Sequence, residues 1–280
     1  MQNPDAAVPA AEPVLYEEFP QAPGAGSAVV ACITLNRPQA LNSFTRDMHR
    51  ALWAALDRAE ANPQVRALVL TGAGRGFCAG LDLSELDFTP GEGQLERASP
   101  GPVITDFFNP TALRLLALRM PTVAAVNGVA AGAGASLAMT CDMAVAAPGA
   151  SFVQAFSKIG LIPDAGGSWL LTERLGLARA MGLALLGDKL PAQQALDWGL
   201  IWAVEDDPLA AALALAHRLA AMPTRALVAT RGLLRGASTR TLEQQLEVER
   251  DTQAELGRTH DYIEGVTAFL QKRPAQFQGA

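Results

Sequence analysis

The feature that most constrains the fold is an alternation of strand-like and helix-like segments over the first two-thirds of the chain. Apolar runs rich in valine, leucine and alanine predict strands at 29–35, 65–70, 123–126 and 143–147. The segments between them predict helices at 45–62, 112–120 and 134–140. Strands that alternate with helices are typical of βαβ units around a mostly parallel sheet. The sequence therefore predicts an α/β fold.

The remainder of the chain has a different pattern. After Ser168 the strand signal nearly vanishes, apart from Ile201 to Val204, and the segments between glycine and proline breaks favour helices. We therefore expect three regions, which are a disordered tail rich in alanine and proline over 1–13, an α/β core over 14–205 and a C-terminal helical region over 206–280.

Composition and charge argue against several function classes. Half of the residues are apolar, 18% are charged and the formal net charge is −6, with no block of lysine or arginine. Such a balance disfavours binding to nucleic acid or to an acidic membrane. The three cysteines and three histidines are scattered, so neither a disulfide framework nor a metal site is expected. We expect a reduced, cytoplasmic enzyme with no nucleic-acid or membrane partner.

One stretch, from Met120 to Cys141, contains no charged residue and is therefore a candidate for a membrane span. It contains a proline, an asparagine and three glycines among many alanines, so it is far less hydrophobic than a leucine-rich transmembrane helix. We predict a buried strand–turn–helix there instead. The N-terminus has neither the basic start of a secretory signal nor the arginines of a transit peptide.

Two familiar site motifs are incomplete in this chain. Gly72-x-Gly74 follows a predicted strand, as in a dinucleotide-binding loop, but Phe77 stands where that motif needs its third glycine. Ser136 lies in a run of small residues similar to the nucleophile elbow of serine hydrolases, yet Ala138 replaces the glycine that the elbow requires. We therefore favour neither function.

Two turns made of small residues remain as candidate site elements, one from Phe77 to Asp82 and one from Gly128 to Ala135. Small residues let a ligand approach the backbone closely, and a helix N-terminus offers unpaired N–H groups. Two such turns could aim two N–H groups at one oxygen and form an oxyanion hole. From the residues alone, ordinary tight packing explains the turns equally well.

These two turns, together with the segment from Leu35 to Asn42 and with Asp142, resemble the motifs of the crotonase (enoyl-CoA hydratase/isomerase) superfamily. The resemblance extends from about Val29 to Phe277. It implies a crotonase (ClpP-like) fold of repeated ββα units, with a helical C-terminal part used in trimerisation. It also implies an acyl-CoA substrate, a homotrimer or dimer of trimers, and no metal or redox cofactor.

Within the superfamily the chain most resembles the isomerases of phenylacetate degradation. Four segments carry this resemblance, at 74–80, 127–136, 155–164 and 179–187. It implies isomerisation of ring-1,2-epoxyphenylacetyl-CoA to the ring-expanded oxepin-CoA. The same machinery would also move a β,γ double bond of an aliphatic acyl-CoA to the α,β position.

The resemblance implies roles for particular residues as well. The N–H groups of Leu81 and Ala133 correspond to the oxyanion donors; the family more often has glycine at the second position, but alanine keeps the donor. The coenzyme A contacts are expected at Gln39, Ala40 and Leu41 near the adenine, and at Ala79, Asp82 and Leu83 along the pantetheine. Gln39 is neutral, whereas the phosphate contacts of the family are usually basic.

The acid/base residue separates this chain from the hydratases that it resembles. Those carry glutamates at the positions of Ser136 and Phe156, and neither side chain here can exchange a proton as a carboxylate does. A third position, used by dienoyl-CoA isomerases and an aromatic dehalogenase, holds Asp164. Its neighbours are uncharged, so we expect a raised pKa suited to proton transfer. Asp164 also fits the N-cap of a helix beginning at Ser168.

Two alternative functions remain open at the level of sequence. One is another crotonase reaction, such as hydration, or hydrolysis or dehalogenation through nucleophilic attack by Asp164, which would leave a covalent intermediate. The other is a non-catalytic RNA-binding relative, which the acidic balance disfavours. Phe107, Phe108 and Phe156 are candidates either for an apolar wall around the acyl group or for the core.

Overall fold

Two β-sheets form the centre of the protein, and the larger one has six strands. The computed structural model describes residues 12–21 and 27–280. In spatial order the large sheet contains β1 (Val14–Pro20), β2 (Val29–Leu35), β3 (Val65–Gly72), β5 (Thr122–Val126), β7 (Met143–Ala146) and β10 (Ala203–Val204). β1 pairs antiparallel with β2, and the other neighbouring pairs are parallel. The predicted α/β class is confirmed, whereas residues 1–11 of the predicted tail lie outside the described residues.

Helices cover both faces of the large sheet, which is why its strands are almost continuously apolar. All eight residues of β3 are buried. One face packs against helix α1 (Arg46–Ala61), whose buried side includes Met48 and Leu52. Thr45 begins this helix by accepting a hydrogen bond from the Met48 N–H, as an N-cap threonine does. The other face packs against a helix from Pro208 to Ala220, which lies after the predicted end of the core at residue 205.

The second sheet has four short strands that the sequence analysis did not predict. In spatial order they are β4 (Gly76–Cys78), β6 (Val129–Ala131), β8 (Ser151–Val153) and β9 (Lys189–Pro191). β4, β6 and β8 pair in parallel, and β9 pairs antiparallel with β8. Each strand has three residues, which is too short for a periodic pattern to appear in the sequence. The expectation that strands end after Ser168, except at 201–204, was wrong at β9.

The helices that follow or separate these strands are α2 (Asn109–Ala117), α3 (Ala133–Thr140), α4 (Gly167–Leu175), α5 (Leu177–Leu186), α6 (Ala192–Asp197), α7 (Pro208–Ala220), α8 (Thr224–Gly236), α9 (Leu242–Leu256) and α10 (His260–Gln271). Shorter helical turns cover Pro38–Ala40, Leu83–Glu85, Gln94–Arg97, Gly101–Val103, Ala155–Ile159 and Ala237–Thr239, and Ile104–Phe108 is a π-helical turn. The helix predicted at 112–120 ends at Ala117, because Leu118 is already extended ahead of Pro121.

The uncharged stretch from Met120 to Cys141 is buried and ends in the predicted helix, but the predicted turn contains a second strand. It contains β5, β6 and α3 in succession, which is one of the ββα units that the resemblance implies. Every residue of α3 is buried. Throughout residues 12–21 and 27–280, no helix combines the length and the apolar character needed to cross a bilayer.

Candidate active site

The small sheet brings the two turns of small residues together. β4 and β6 are parallel neighbours, so their C-terminal ends meet at the same edge, and there the chain enters the turns at Gly80 and Gly132. The turns touch, since a Cβ atom on Gly80 would lie 3.0 Å from the Ala131 carbonyl oxygen and 3.2 Å from the Ala133 nitrogen. Gly80 also has a φ of +90°, which strongly favours glycine. Two separate reasons therefore require glycine at this position.

Gly134, in the second turn, also limits the distance between the two turns. A Cβ atom on Gly134 would lie 2.3 Å from the carbonyl oxygen of Cys78, so any larger residue would push the two turns apart. Both turns therefore depend on glycine for their distance from each other, and the tight packing that the sequence allowed is present. This packing does not exclude an oxyanion hole, because the same contact brings Ala133 beside the peptide that carries the Leu81 N–H.

The direction of the Leu81 N–H follows from the hydrogen bonds of its neighbours. Phe44 N donates to Gly80 O over 2.7 Å, and Asp82 N donates to Phe44 O over 3.0 Å. In a planar trans peptide the N–H points opposite to the preceding carbonyl. Since the carbonyl of Gly80 faces Phe44, the N–H of Leu81 faces away from Phe44.

The direction of the Ala133 N–H is set by helix α3. Ser136 N donates to Gly132 O over 3.1 Å, so the Gly132 carbonyl points into the helix and the Ala133 N–H points out of its N-terminus. As the first residue of α3, Ala133 has no carbonyl within the helix to accept from its N–H. The geometry thus provides an outward-facing donor where the two turns meet.

Asp164 lies on the segment that follows β8, the neighbour of β6 in the small sheet. Its half-buried side chain lines a cavity of about 290 Å³, whose other described walls are Pro100, Ile104, Asn109, Leu161, Ile162, Pro163, Ala165 and Gly166. The buried Oδ1 atom has no hydrogen-bond partner among the described residues. Burial raises the pKa of the Asp164 carboxyl from 3.8 to about 6, which outweighs the lowering effect of a hydrogen bond from its own backbone.

The predicted N-cap role of Asp164 was wrong. Helix α4 begins at Gly167, its N-cap is Gly166 in the left-handed region, and no described side chain caps it. The turn is closed by the backbone instead, because Gly167 N donates to Asp164 O over 2.7 Å. This arrangement leaves the Asp164 carboxylate free for other chemistry.

Ser136 and Phe156 lie around this region, and neither supplies a carboxylate. Ser136 is fully buried on α3, and its Oγ would be 2.4 Å from a Cβ atom on Gly167, so the helix that follows Asp164 packs directly on α3. The Phe156 ring would lie 3.5 Å from a Cβ atom on Gly132. A side chain at either position therefore reaches the surroundings of the Ala133 N–H.

The structure brings the predicted adenine-side residues next to Ala79. Gln39 and Ala40 lie in the turn Pro38–Ala40, and Leu41 O accepts a hydrogen bond from Ala79 N over 2.9 Å. Asn42, which the sequence analysis used only as a motif residue, holds this junction together. Its fully buried Nδ2 donates to the carbonyl oxygens of Ala73, Gly76 and Phe77 over 3.0, 2.8 and 3.2 Å.

Asp82 and Leu83, the other predicted contacts, begin the next turn. The Asp82 carboxylate is 2.9 Å from Arg37 Nη1 and accepts a hydrogen bond from Ser84 N over 3.1 Å. Burial by itself would raise its pKa, but the hydrogen bonds from Ser84 and Arg37 hold the pKa of this carboxyl below 3.8. Its side chain is therefore already engaged, whereas the Leu83 side chain is exposed.

Phe107 and Phe108 do not line the cavity beside Asp164. They belong to an aromatic cluster in which Phe107 stacks on Trp53, and Phe108 packs edge-on against His49 at 4.5 Å between ring centroids. Phe108 is fully buried, so its place is in the core. Burial lowers the pKa of His49 to about 3, which keeps this histidine neutral at pH 7.

Asp142, another motif residue, is structural. Its carboxylate is 3.2 Å from Arg231 and 2.9 Å from Arg235, both on α8, and it accepts a hydrogen bond from Thr122 N at the start of β5. A cavity of about 500 Å³ lies beside these groups and is larger than the cavity at Asp164. Its arginines already donate to backbone carbonyls and thereby hold the surrounding segments together.

The comparison with protein families agrees with the fold. A family model described as enoyl-CoA hydratase/isomerase matches residues 25–280. The chain belongs to this family, the crotonases, and its fold is the crotonase fold. The fold and the ββα units that the resemblance implied are therefore confirmed.

Different relatives of this chain are named for different activities. The 1,2-epoxyphenylacetyl-CoA isomerase of Escherichia coli K12 is 50% identical over 256 residues, covering 89% of this chain and 95% of that protein. A Rhodobacter capsulatus protein named "Probable enoyl-CoA hydratase" is 44% identical, with 89% and 95% covered. The solved enoyl-CoA hydratase from Polaromonas sp. JS666 is 35% identical with a TM-score of 0.81, covering 94% of this chain and 99% of that one.

Proposed function

We propose that this protein is a coenzyme A thioester isomerase that moves a proton along a conjugated acyl group. The observation that carries this proposal is the single free carboxylate of Asp164 in an otherwise uncharged cavity, with a pKa raised to about 6. A group with such a pKa accepts a proton at neutral pH and returns it readily, as a shuttle requires.

The reaction needs two parts that this chain can supply. The thioester oxygen binds to the N–H groups of Leu81 and Ala133, which stabilise the enolate formed when the proton leaves the carbon beside the carbonyl. Asp164 accepts that proton and returns it to another carbon of the conjugated system. No atom is gained or lost, so the reaction is an isomerisation that needs no redox cofactor, and in this proposal the two N–H groups rather than a metal stabilise the enolate.

We propose ring-1,2-epoxyphenylacetyl-CoA as the substrate and the ring-expanded oxepin-CoA as the product. The ring carbon–carbon bond that the epoxide oxygen bridges breaks by electrocyclic opening to the seven-membered ring, with no atom gained or lost, and the proton transfer through Asp164 then moves a double bond into conjugation with the thioester. The 50% identical relative from Escherichia coli, named for the epoxide, supports this choice. The same chemistry extends to a β,γ to α,β double-bond shift in an aliphatic acyl-CoA. Hydration is disfavoured, because Ser136 and Phe156 stand where the hydratases carry their two glutamates. Gln39, Ala40, Leu41, Ala79, Asp82 and Leu83 remain our proposed coenzyme A contacts.

The decisive experiment incubates the protein with the epoxide thioester in deuterium oxide and follows the product by NMR. Formation of the oxepin thioester would support the proposal, and the fraction of deuterium at the carbon that receives the proton would measure how far the Asp164 carboxyl exchanges with solvent between the two transfers. Absence of conversion of both the epoxide and a β,γ-enoyl-CoA would refute it. A covalent adduct on Asp164 detected by mass spectrometry would favour a hydrolase or dehalogenase instead.

We also propose that the protein is a homotrimer or a dimer of trimers. Large apolar side chains are exposed on α4, α5 and the segment that follows, among them Trp169, Leu185 and Trp202, which suits burial against another copy. Light scattering should then give a mass of about three or six times the 29.4 kDa of one chain. A monomer at micromolar concentration would contradict the proposal.

A further inference from the structure

The cavity beside Asp164 contains a second polar side chain, Asn109, to which neither the motifs nor the relatives' names give a role. Of the nine described residues that line the cavity, seven carry hydrocarbon side chains or none, and the remaining two are Asp164 and Asn109. Asn109 is exposed at the mouth of this cavity, and its side chain forms no hydrogen bond with any described residue. Apolar pockets usually orient a ligand through a few such groups.

A local irregularity of the backbone places Asn109 on this wall. Ile104–Phe108 is a π-helical turn in which Asn109 N donates to Ile104 O, five residues earlier. In a regular α-helix residues five apart point about 140° away from each other. The extra residue of the π turn allows Ile104 and Asn109 to face the same cavity.

The position of Asn109 is also held firmly. Phe108, the preceding residue, is fully buried and packs against His49 and Phe44 at centroid distances of 4.5 and 5.9 Å. Pro110 follows and restricts the backbone at the start of α2. The backbone of Asn109 is thus anchored on both sides, so little backbone freedom is lost when a ligand binds its side chain.

We propose that Asn109 is a specificity-determining residue whose amide hydrogen-bonds an oxygen carried by the acyl group. Asp164 is ionised when it acts as a base, and a carboxylate has no hydrogen to donate, so the ligand oxygen requires a separate donor. The amide Nδ2 of Asn109 is that donor. It favours acyl-CoA substrates with an oxygen on the ring over purely hydrocarbon ones. This assignment rests on the proposed function for the identity of the acyl group.

The test measures selectivity with two stable ligands rather than turnover. Phenylacetyl-CoA and 2-hydroxyphenylacetyl-CoA differ by one oxygen, at the ring carbon next to the side chain, where the epoxide also carries its oxygen. Titration calorimetry should show that the wild-type protein binds the hydroxylated ligand about five- to tenfold more tightly, as one net hydrogen bond allows. In Asn109→Leu, a change of similar size, this ratio should fall to about one.

Two further variants separate selectivity from structure. Asn109→Ala should lose the preference like the leucine variant, and it adds no apolar bulk. Thr105→Val makes a comparable polar-to-apolar change in the same π turn at an exposed residue that does not line the cavity, so it should keep the wild-type ratio. An unchanged ratio in both Asn109 variants, or no preference in the wild-type protein, would overturn the assignment.

The outcome is distinguishable from a failure of the proposed reaction. Suppose the wild-type protein prefers the hydroxylated ligand through Asn109 but does not convert the epoxide. This result would refute the proposed reaction and support the Asn109 assignment. Conversion of the epoxide, together with an unchanged ratio of the two ligand affinities in Asn109→Leu, would support the proposed reaction and refute the Asn109 assignment.

Discussion

The substitution Asp164→Asn tests two consequences of placing a carboxylate in an apolar cavity. The carboxylate can transfer protons, and it lowers the stability of the fold. Asparagine has nearly the same size as aspartate but carries no charge, so it cannot accept the substrate proton at neutral pH. We expect isomerisation to fall by ~10²–10⁴-fold, the usual contribution of a positioned acid/base group. The backbone turn should remain, because it is closed by the Gly167 N–H and the Asp164 carbonyl rather than by the side chain.

The same substitution should stabilise the fold, by an amount that follows from the raised pKa. The carboxyl has a pKa of about 6 in the folded protein against 3.8 ordinarily, and a difference of this size corresponds to ~3 kcal/mol. Since the side chain is only half-buried, solvent screens part of this cost. We therefore expect the free energy of unfolding at pH 7 to rise by about 1–2 kcal/mol in the variant.

The stability difference between the wild-type protein and the asparagine variant should depend on pH. Between pH 4 and 6 the folded protein keeps a proton on Asp164 that the unfolded chain has already lost, so stability falls as the pH rises through this range. The advantage of the asparagine variant should thus be complete above about pH 6 and absent below about pH 4.

Urea unfolding at pH 7.5 and at pH 4.5, together with turnover, checks both expectations. Asp206→Asn is the matched control, because Asp206 is exposed and takes part in no described hydrogen bond or ion pair. The reasoning is refuted if Asp164→Asn is no more stable than this control at pH 7.5. Retention of more than about a tenth of the wild-type turnover would remove Asp164 from the proposed chemistry.

Four shorter predictions concern the same site. The kcat/KM for isomerisation should rise with pH to a plateau above about 6, where Asp164 becomes ionised, and a flat profile between pH 5 and 8 would contradict this. Ala133→Pro removes the donor N–H and should lower activity at least ~10²-fold, whereas Ala133→Gly keeps it; equal activity in two folded variants would exclude this donor. Because Ser136 and Phe156 carry no carboxylate, crotonyl-CoA hydration, measured by loss of the enoyl absorbance, should be far slower than isomerisation of the best substrate, and comparable rates would exclude the assignment. Asn42→Ala removes the side-chain donor to the carbonyls of Ala73 and Phe77, whereas Gly76 O keeps a hydrogen bond from Asn127, so urea unfolding should show a loss of about 2–4 kcal/mol, and a loss under about 1 kcal/mol would argue against this role.

Much of the large sheet could be predicted from the sequence, because its strands are long, apolar and buried on both faces. The predicted strand at 29–35 and the predicted helix at 45–62 match β2 and α1 closely. The strand Val14–Pro20 was missed because it lies at the sheet edge and carries two adjacent glutamates and a proline. The small sheet was missed because its three-residue strands have no period to detect, and their pairing partners are distant in sequence.

What the sequence determined by itself is therefore the set of local possibilities: the α/β class, the two small-residue turns and an aspartate among uncharged neighbours. Only the tertiary structure decided how these parts combine. The parallel pairing of β4, β6 and β8 brings both turns to one edge of the small sheet, and the packing of Gly167 on Ser136 holds the segment after Asp164 against α3. The raised pKa of Asp164 and the unexpected position of Asn109 likewise arise from desolvation and from a π turn. The uncharged neighbours of Asp164 already predicted the direction of its pKa shift, but residues distant in sequence close the cavity that desolvates the carboxyl, and no sequence pattern predicted the π turn.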